Sequence, residues 1–359
     1  MDIVTLADYE NAARQRLGAN AWAYLAGGAG DETTLRENRA AFARLLVEPR
    51  ILRSFDHAHT GCRLLGQDLA HPILLAPAAY HHLFHPEGEL ATVAGAGAMD
   101  AVAVVSSQAS TPLESIAAAA TAPLWWQLYF QRDRSATLDL VRRVEAAGYG
   151  ALVLTVDAPL SGIRDREARE HFHLPPGIAA VNLPPPPPQA VPGTGEGGRP
   201  LLLDHLPPMA GWDDISWLVA EARVPVLLKG VLNPDDAQQA VELGVAGLVV
   251  SNHGGRTLDT VPATLDALGP IAERLSGAVP LLVDGGIRRG TDVLKAIALG
   301  ADAVLIGRPY LHGLAVAGAL GVAHVVKMLR IELEVAMVLA GCPTLADARS
   351  LNLFETVGG

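Results

Sequence analysis

The chain has 359 residues, half of them hydrophobic but only 5% aromatic, so its core must be aliphatic. A formal net charge of −11 argues against nucleic acid or an anionic membrane surface as a general partner. Its two cysteines, Cys62 and Cys342, fit no metal-ligand spacing and read as reduced thiols of a cytoplasmic protein.

The opening residues, Met1-Asp2-Ile3-Val4, lack the basic-then-apolar pattern of a secretion leader. No uninterrupted apolar stretch reaches the ~20 residues of a membrane-spanning helix. Residues 1 to about 70 read as helices with a short antiparallel lead-in. Eight short apolar runs follow: Ile73–Pro77, Ala101–Ser106, Leu124–Tyr129, Ala151–Thr155, Val224–Lys229, Ala246–Ser251, Val279–Asp284 and Ala301–Ile306. Runs that are apolar on both faces suit parallel strands covered on both sides. The helical patterns between them make βαβ units. Thr111-Pro112-Leu113-Glu114 predicts a capping box with Pro at the first helical position. Asn233-Pro234-Asp235-Asp236 predicts an N-cap, a first-position Pro and two acids in the positive first turn. Gly244 and Gly300 follow predicted helix ends.

Eight such units predict an α/β fold, a (β/α)8 TIM barrel over residues 71–320. An open doubly wound sheet fits less well, because no dinucleotide glycine fingerprint is present. Residues 1–359 are then a single domain, with an N-terminal lead-in (1–70) and a C-terminal helical segment (321–359). An insertion over 165–211 interrupts the barrel after its fourth strand. It contains Pro184–Pro188 and Gly193–Gly198, cannot pack a core of its own and is predicted to be mobile. On a barrel it falls at the catalytic face, as a lid or as a passive loop.

Active sites of such barrels lie at the C-terminal strand ends. The polar residues there are Ser106, Ser107, Gln127, Tyr129, Thr155, Asp157, Lys229, His253, Arg256, Asp284 and Arg308. Any one could be an ordinary strand-end group; together they outline a ligand site. In Leu248–Arg256 an apolar run gives way to a His, two Gly and an Arg. An imidazole moves protons near neutral pH, and a guanidinium grips a carboxylate. Asp284-Gly-Gly-Ile-Arg288 and Ile306-Gly-Arg308 place glycines and arginines after strands seven and eight, where such barrels hold a phosphate. The chain has three lysines, and Lys229 ends an apolar run. It reads either as a Schiff-base lysine or as a fixed cation stabilising developing negative charge.

From Leu6 to Gly341 the chain resembles the FMN-dependent α-hydroxy acid oxidising family. The motifs are Ser251–Arg256, Asp284–Asp292, His85-Pro-Glu-Gly-Glu89, Gln127-Leu-Tyr129 and Thr155-Val-Asp157. Tyr80–Leu90 looks most like the hydroxymandelate oxidase branch. The resemblance implies FMN as cofactor. Arg288, Arg308 and the Gly285, Gly286 and Gly307 backbone would hold its phosphate. Its ring system would lie against Ala76, Pro77 and Ala78, with Ser106, Gln127 and Thr155 at the polar edge. Ser251 and Asp284 line the same site, and Lys229 would stabilise the anionic reduced flavin. His253 would be the base, oriented by Asp157. Arg256 and Tyr24 would clamp the substrate carboxylate with support from Arg164, and Tyr129 would meet the substrate hydroxyl.

Three positions depart from the glycolate oxidase pattern. Gln108 replaces an aromatic residue, Ile163 replaces the first of two arginines, and Tyr80 stands where Met is common. They imply an (S)-2-hydroxy acid with a larger, aryl substituent near Tyr80 and Gln108. Ala79, beside the flavin, and the absence of a membrane anchor in the insertion imply O2 as acceptor rather than a quinone. The resemblance further implies a homotetramer and no metal.

Overall fold

The structure, a computed structural model, describes residues 2–131, 133–184 and 209–356. Eight parallel strands close into a barrel in chain order: Ile73–Leu75, Ala103–Ser106, Leu124–Leu128, Leu152–Thr155, Val226–Val231, Gly247–Val250, Leu281–Asp284 and Ala303–Ile306. The eighth pairs with the first, Val304 opposite Ile73 and Ile306 opposite Leu75. Every residue of the first four strands is buried, which is why their sequences run apolar without alternation. Leu74, Val104, Trp125, Val153, Leu227, Val249, Leu282 and Leu305 form one interior cluster. Leu64 and Leu69 join it from the hairpin Cys62–Leu64/Gln67–Leu69, which precedes the first strand and closes the end where the strands begin.

Three lead-in helices, α1 (Leu6–Arg16), α2 (Ala19–Ala26) and α3 (Thr33–Arg44), precede that hairpin. Helices α4 (Gly88–Gly97), α5 (Leu113–Ala119) and α6 (Arg134–Ala146) follow the first three strands. The short α7 (Asp165–Arg169) opens the insertion, and α8 (Trp212–Glu221) closes it. Then come α9 (Pro234–Glu242), α10 (Thr264–Leu275), α11 (Gly290–Ala298) and α12 (Arg308–Ala340). Asn233 caps α9 as predicted, accepting from the Asp235 and Asp236 amides.

Pro112 caps α5 rather than starting it, and the predicted Thr111 capping box does not form. The Thr111 hydroxyl instead donates to Glu89 at 2.8 Å. The buried Glu89 carboxylate also draws the His81 amide and the Ser110 amide and hydroxyl. A buried carboxylate without donors is far costlier than an uncapped helix turn, so the tertiary demand wins.

Two further features were not legible. Strand Leu45–Val47 pairs antiparallel with Leu353–Glu355, so the C-terminal segment is not wholly helical. Helix α12 is long and apolar enough, by composition, to cross a membrane. It breaks at Ala317–Gly318 and lays Val322, Val325, Leu329, Leu333 and Met337 inward against neighbours that include α1, α4 and α11. It is a core helix.

Candidate active site

The sixth strand ends in a turn built from left-handed backbone. His253, Gly254 and Gly255 have φ of 57°, 64° and 73°. The glycines adopt this freely; His253 does so at a cost of about 1–2 kcal/mol. Asn252 holds the turn by exchanging two hydrogen bonds with Asn38 of α3, at 2.9 and 2.8 Å. Its Oδ1 also accepts from the Gly255 amide at 3.1 Å.

The turn aims His253 Nδ1 at Asp157 Oδ1, 2.9 Å away at the end of the fourth strand. Gly230 makes room for that carboxylate, since a Cβ there would lie 2.5 Å from Asp157 Cβ. With Nδ1–H donating to Asp157, Nε2 keeps its lone pair. Burial and then the Lys229 cation hold the His253 pKa below its usual value, against the opposing pull of Asp157. The imidazole is therefore neutral, a base, at neutral pH. Burial pushes Asp157 up, but Lys229 and His253 outweigh it and leave the carboxyl below its usual range.

Lys229 donates to Ser251 Oγ at 2.9 Å and lies 3.3 Å from Asp284 Oδ2. Burial opposes its charge, but Asp284 and Asp157 more than offset this, so it stays an ammonium. A Schiff-base lysine needs a neutral amine, which this ammonium does not offer. Tyr129 is pushed up to about 12 by burial and keeps its proton. Asp157 Oδ2 and Asp284 Oδ1 are buried with no protein partner, as polar atoms are when a ligand or water completes them.

Strands two to four present a linked polar edge. Ser106 Oγ donates to Gln127 Oε1 at 3.2 Å, and Gln127 Nε2 donates to Thr155 Oγ1 at 3.1 Å. Ala76, Pro77 and Ala78 follow the first strand, with the Ala76 carbonyl fixed by the Tyr310 hydroxyl at 2.8 Å.

At strands seven and eight, Arg288 and Arg308 have no carboxylate partner among the described residues. Both fall below the usual guanidinium value through burial; Arg256 and Arg288 add to the effect at Arg308. Arg308 is fixed by the carbonyls of Leu25 (2.9 Å), Gly254 (3.0 Å) and Gly27 (2.7 Å). Leu25 and Gly27 lie at the negative C-terminal end of α2. Asp292 covers the Arg288 and Arg289 amides that lead into α11, at 2.8 and 3.0 Å. Gly307, which starts α12, has no side-chain cap. Two uncompensated cations beside an open helix N-terminus suit a phosphate dianion, so these residues fit FMN.

Arg256 donates to the carbonyls of Tyr24 (2.7 Å) and Gly27 (2.9 Å), and its Nη2 meets Glu167 Oε1 at 3.0 Å. Its guanidinium lies 4.9 Å from the Tyr24 ring centroid. Arg164 Nη1 reaches the same Glu167 oxygen at 3.2 Å. Tyr24 stacks on Phe172 at 4.8 Å, with Tyr80 at 6.2 Å and Phe84 at 6.4 Å. The Tyr80 amide donates to the Gln108 carbonyl at 3.2 Å, which sets those two positions side by side. Glu167, Phe172, Phe84 and Asn252 were not singled out by sequence. Asn252 and Phe84 lie inside the Ser251–Arg256 and Tyr80–Leu90 stretches without a role of their own, and for Glu167 the signal was the charged run Asp165-Arg166-Glu167 at the head of the insertion.

That part of the insertion is tied down. Arg166 pairs with Glu32 at 2.6 Å, and Asn20 exchanges two hydrogen bonds with the His173 backbone. Asn182 accepts from the Leu113 amide at 2.8 Å. Residues 185–208, which hold most of the Pro- and Gly-rich stretch and the expected lid, lie outside the described residues.

An L-lactate oxidase from Roseobacter sp. (strain GAI101) is 48% identical over 350 residues, 96% of this chain and 93% of that protein. Glycolate oxidase 3 from Oryza sativa subsp. indica is 42% identical over 349 residues, 97% of this chain and 95% of its own. A mandelate oxidase solved with (S)-2-phenylpropionate superposes with a TM-score of 0.91 at 43% identity, covering 99% of this chain and 100% of that one. Another, with benzoyl-formic acid, gives 0.91 at 42% identity over the same shares. The FMN-dependent dehydrogenase family matches residues 13–354. The chain, with a phosphate end suited to FMN and a His–Asp pair beside an arginine clamp, belongs to the FMN-dependent dehydrogenase family.

Proposed function

We propose that the protein oxidises an (S)-2-hydroxy acid carrying an aryl substituent to the 2-oxo acid, with O2 reoxidising the flavin and H2O2 released. The observation that carries this reading is the neutral His253, bonded to Asp157 at 2.9 Å, on the same turn as Arg256. The aromatic group of Tyr24, Tyr80, Phe84 and Phe172 supports a ring-bearing substrate. Lactate is the second reading, favoured by the 48% identity to an L-lactate oxidase. A dehydrogenase using a quinone is the alternative for the acceptor.

Bound FMN supplies a two-electron acceptor. Arg288, Arg308 and the Gly285, Gly286 and Gly307 backbone would hold its phosphate, and Lys229 would supply a fixed positive charge. Arg256, Arg164 and Tyr24 orient the substrate carboxylate. Tyr129, still protonated, donates a hydrogen bond to the substrate hydroxyl. His253 Nε2 takes one proton, from the α-carbon in a carbanion route or from the hydroxyl in a hydride route. Asp157 keeps the imidazole in the tautomer that accepts it and stabilises the imidazolium that forms.

Anaerobic mixing of the yellow protein with glycolate, lactate and mandelate tests the reaction. Mandelate is expected to bleach the flavin fastest. Faster bleaching by glycolate would overturn the aryl preference. Oxygen uptake matched by stoichiometric peroxide is expected of an oxidase; bleaching without uptake would favour the quinone reading. A cytoplasmic homotetramer belongs to the same proposal. The homotetramer is supported by the exposed apolar face of α12 at Ile331, Val335, Val338 and Leu339, and light scattering checks the mass.

A further inference from the structure

We infer that Glu167 sets the charge of the carboxylate clamp, so that the site takes substrates with one carboxylate and rejects those with two. The inference rests on the 2-hydroxy acid reading above. Glu167 Oε1 lies 3.0 Å from Arg256 Nη2 and 3.2 Å from Arg164 Nη1, so one carboxylate oxygen bridges both guanidiniums. The three side chains are only 14%, 13% and 19% exposed for Arg256, Glu167 and Arg164, so solvent screens their charges weakly.

The charge count follows from the groups facing this point. Arg164 and Arg256 alone present two positive charges; Glu167 leaves one. Arg166 is cancelled by Glu32 at 2.6 Å. Arg308 shares the Gly27 carbonyl with Arg256, and in the FMN-loaded enzyme its charge would be taken up by the cofactor phosphate. Tyr24 and Tyr129 are both raised by burial and stay neutral, and His253 is neutral as well. Deeper in the site, Lys229 is already outnumbered by Asp157 and Asp284. One uncancelled positive charge at the clamp matches one carboxylate. A second carboxylate would find no further uncancelled cation at the clamp, and an unpaired charge is an effective way to reject a competitor.

Glu167 is a standing charge rather than a gate. Helix α7 is pinned by the Arg166–Glu32 pair, by Phe172 on Tyr24 at 4.8 Å and by the Gly30 amide on the Ile163 carbonyl at 2.9 Å. The Asn20–His173 pair closes the far side.

The test uses the FMN-loaded enzyme and two probes of similar size, butyrate and malonate, with binding read from the flavin absorbance change. The wild type is expected to bind butyrate more tightly than malonate at low salt. Glu167→Gln keeps an amide oxygen for the two arginines but removes the charge. It is expected to raise the malonate-to-butyrate affinity ratio at least about tenfold. The rise shrinks as salt is added, and the ratio of kcat/KM for malate over 2-hydroxyvalerate climbs with it. Glu167→Asp keeps the charge and the wild-type order. Wild type preferring malonate, or an unchanged ratio in folded, flavin-loaded Glu167→Gln, overturns the inference. A variant that fails to fold leaves the wild-type order to decide. Anion binding needs no turnover. Shifted ratios with no bleaching by any 2-hydroxy acid would therefore sink the proposed reaction and leave the charge-setting role of Glu167 standing.

Discussion

The two ends of the barrel rim hold their charges differently. At strands seven and eight, Arg288 and Arg308 lack an acid partner among the described residues, and backbone carbonyls alone fix Arg308. At strands four to six each of these groups has a carboxylate partner: Lys229 faces Asp284, Arg256 and Arg164 share Glu167, and the neutral His253 donates to Asp157. An uncompensated end depends on its ligand and binds it strongly. A compensated end is preorganised; its residues set proton affinity and selectivity rather than occupancy. Changes at the first end should therefore alter cofactor content. Changes at the second should alter rate and preference while the protein stays yellow.

The largest expected effect is at the compensated end. His253→Gln removes the base and should slow anaerobic flavin reduction by about 10²- to 10⁴-fold, with FMN content unchanged. Stopped-flow bleaching of the flavin absorbance measures it. Bleaching at the wild-type rate would remove His253 from the chemistry.

The next effect is at the other end. Arg288→Met deletes a charge-assisted phosphate contact worth about 1.5–3 kcal/mol, so the FMN dissociation constant should rise about 10- to 100-fold. Arg308→Met should do the same and also loosen the lead-in, because the Leu25 and Gly254 carbonyls lose this donor and Gly27 keeps only Arg256. Flavin fluorescence titration reads the first effect and thermal unfolding of the apoprotein the second. Unchanged FMN affinity in both variants would erase the contrast between the two ends.

The same contrast explains what could be read in the sequence. The barrel was legible because burial on both faces makes each strand a continuous apolar run. The phosphate end was legible because its glycines and arginines follow their strands within a few residues. The substrate end was legible only in part. His253 and Arg256 share one turn, but Glu167 reaches Arg256 across 89 positions and Asn38 reaches Asn252 across 214. Spacing carries no signal for such pairs. Thr111 misled because its local capping pattern was sound; only Glu89, 22 residues earlier, shows where its hydroxyl goes. Residues 45–47 and 353–355 are too short, at three residues each, for any period to stand out.

A smaller effect is expected from Phe172, which the insertion lays on Tyr24. Aromatic pairs add about 0.5–1.5 kcal/mol beyond buried area, so Phe172→Ala should reduce the mandelate-to-lactate ratio of kcat/KM by about 2- to 10-fold. FMN content should not change. An unchanged ratio would remove Phe172 from the substrate pocket and weaken the aryl reading.

The finest probe is pH, because the proton-accepting histidine sits at the compensated end alone. In the free enzyme the His253 pKa lies below its usual value of 6.5, held there by burial and Lys229. The base form therefore survives to lower pH than an exposed histidine would allow, and the acid limb of kcat/KM should fall below 6.5. The folding linkage has the same direction. Between the folded pKa and 6.5 the unfolded chain binds the proton more readily, so stability rises with pH there and is lost as pH falls through that window. Asp157 opposes both other influences and raises the imidazole. In Asp157→Asn the pKa should fall further, and the acid limb should move to lower pH even as the maximal rate drops through loss of the correct tautomer. FMN affinity should follow neither change, since Arg288 and Arg308 lie at the other end. A limb that moves upward in Asp157→Asn would mean that Asp157 does not hold the proton-accepting form of His253, and the compensated end would have to be explained by packing alone.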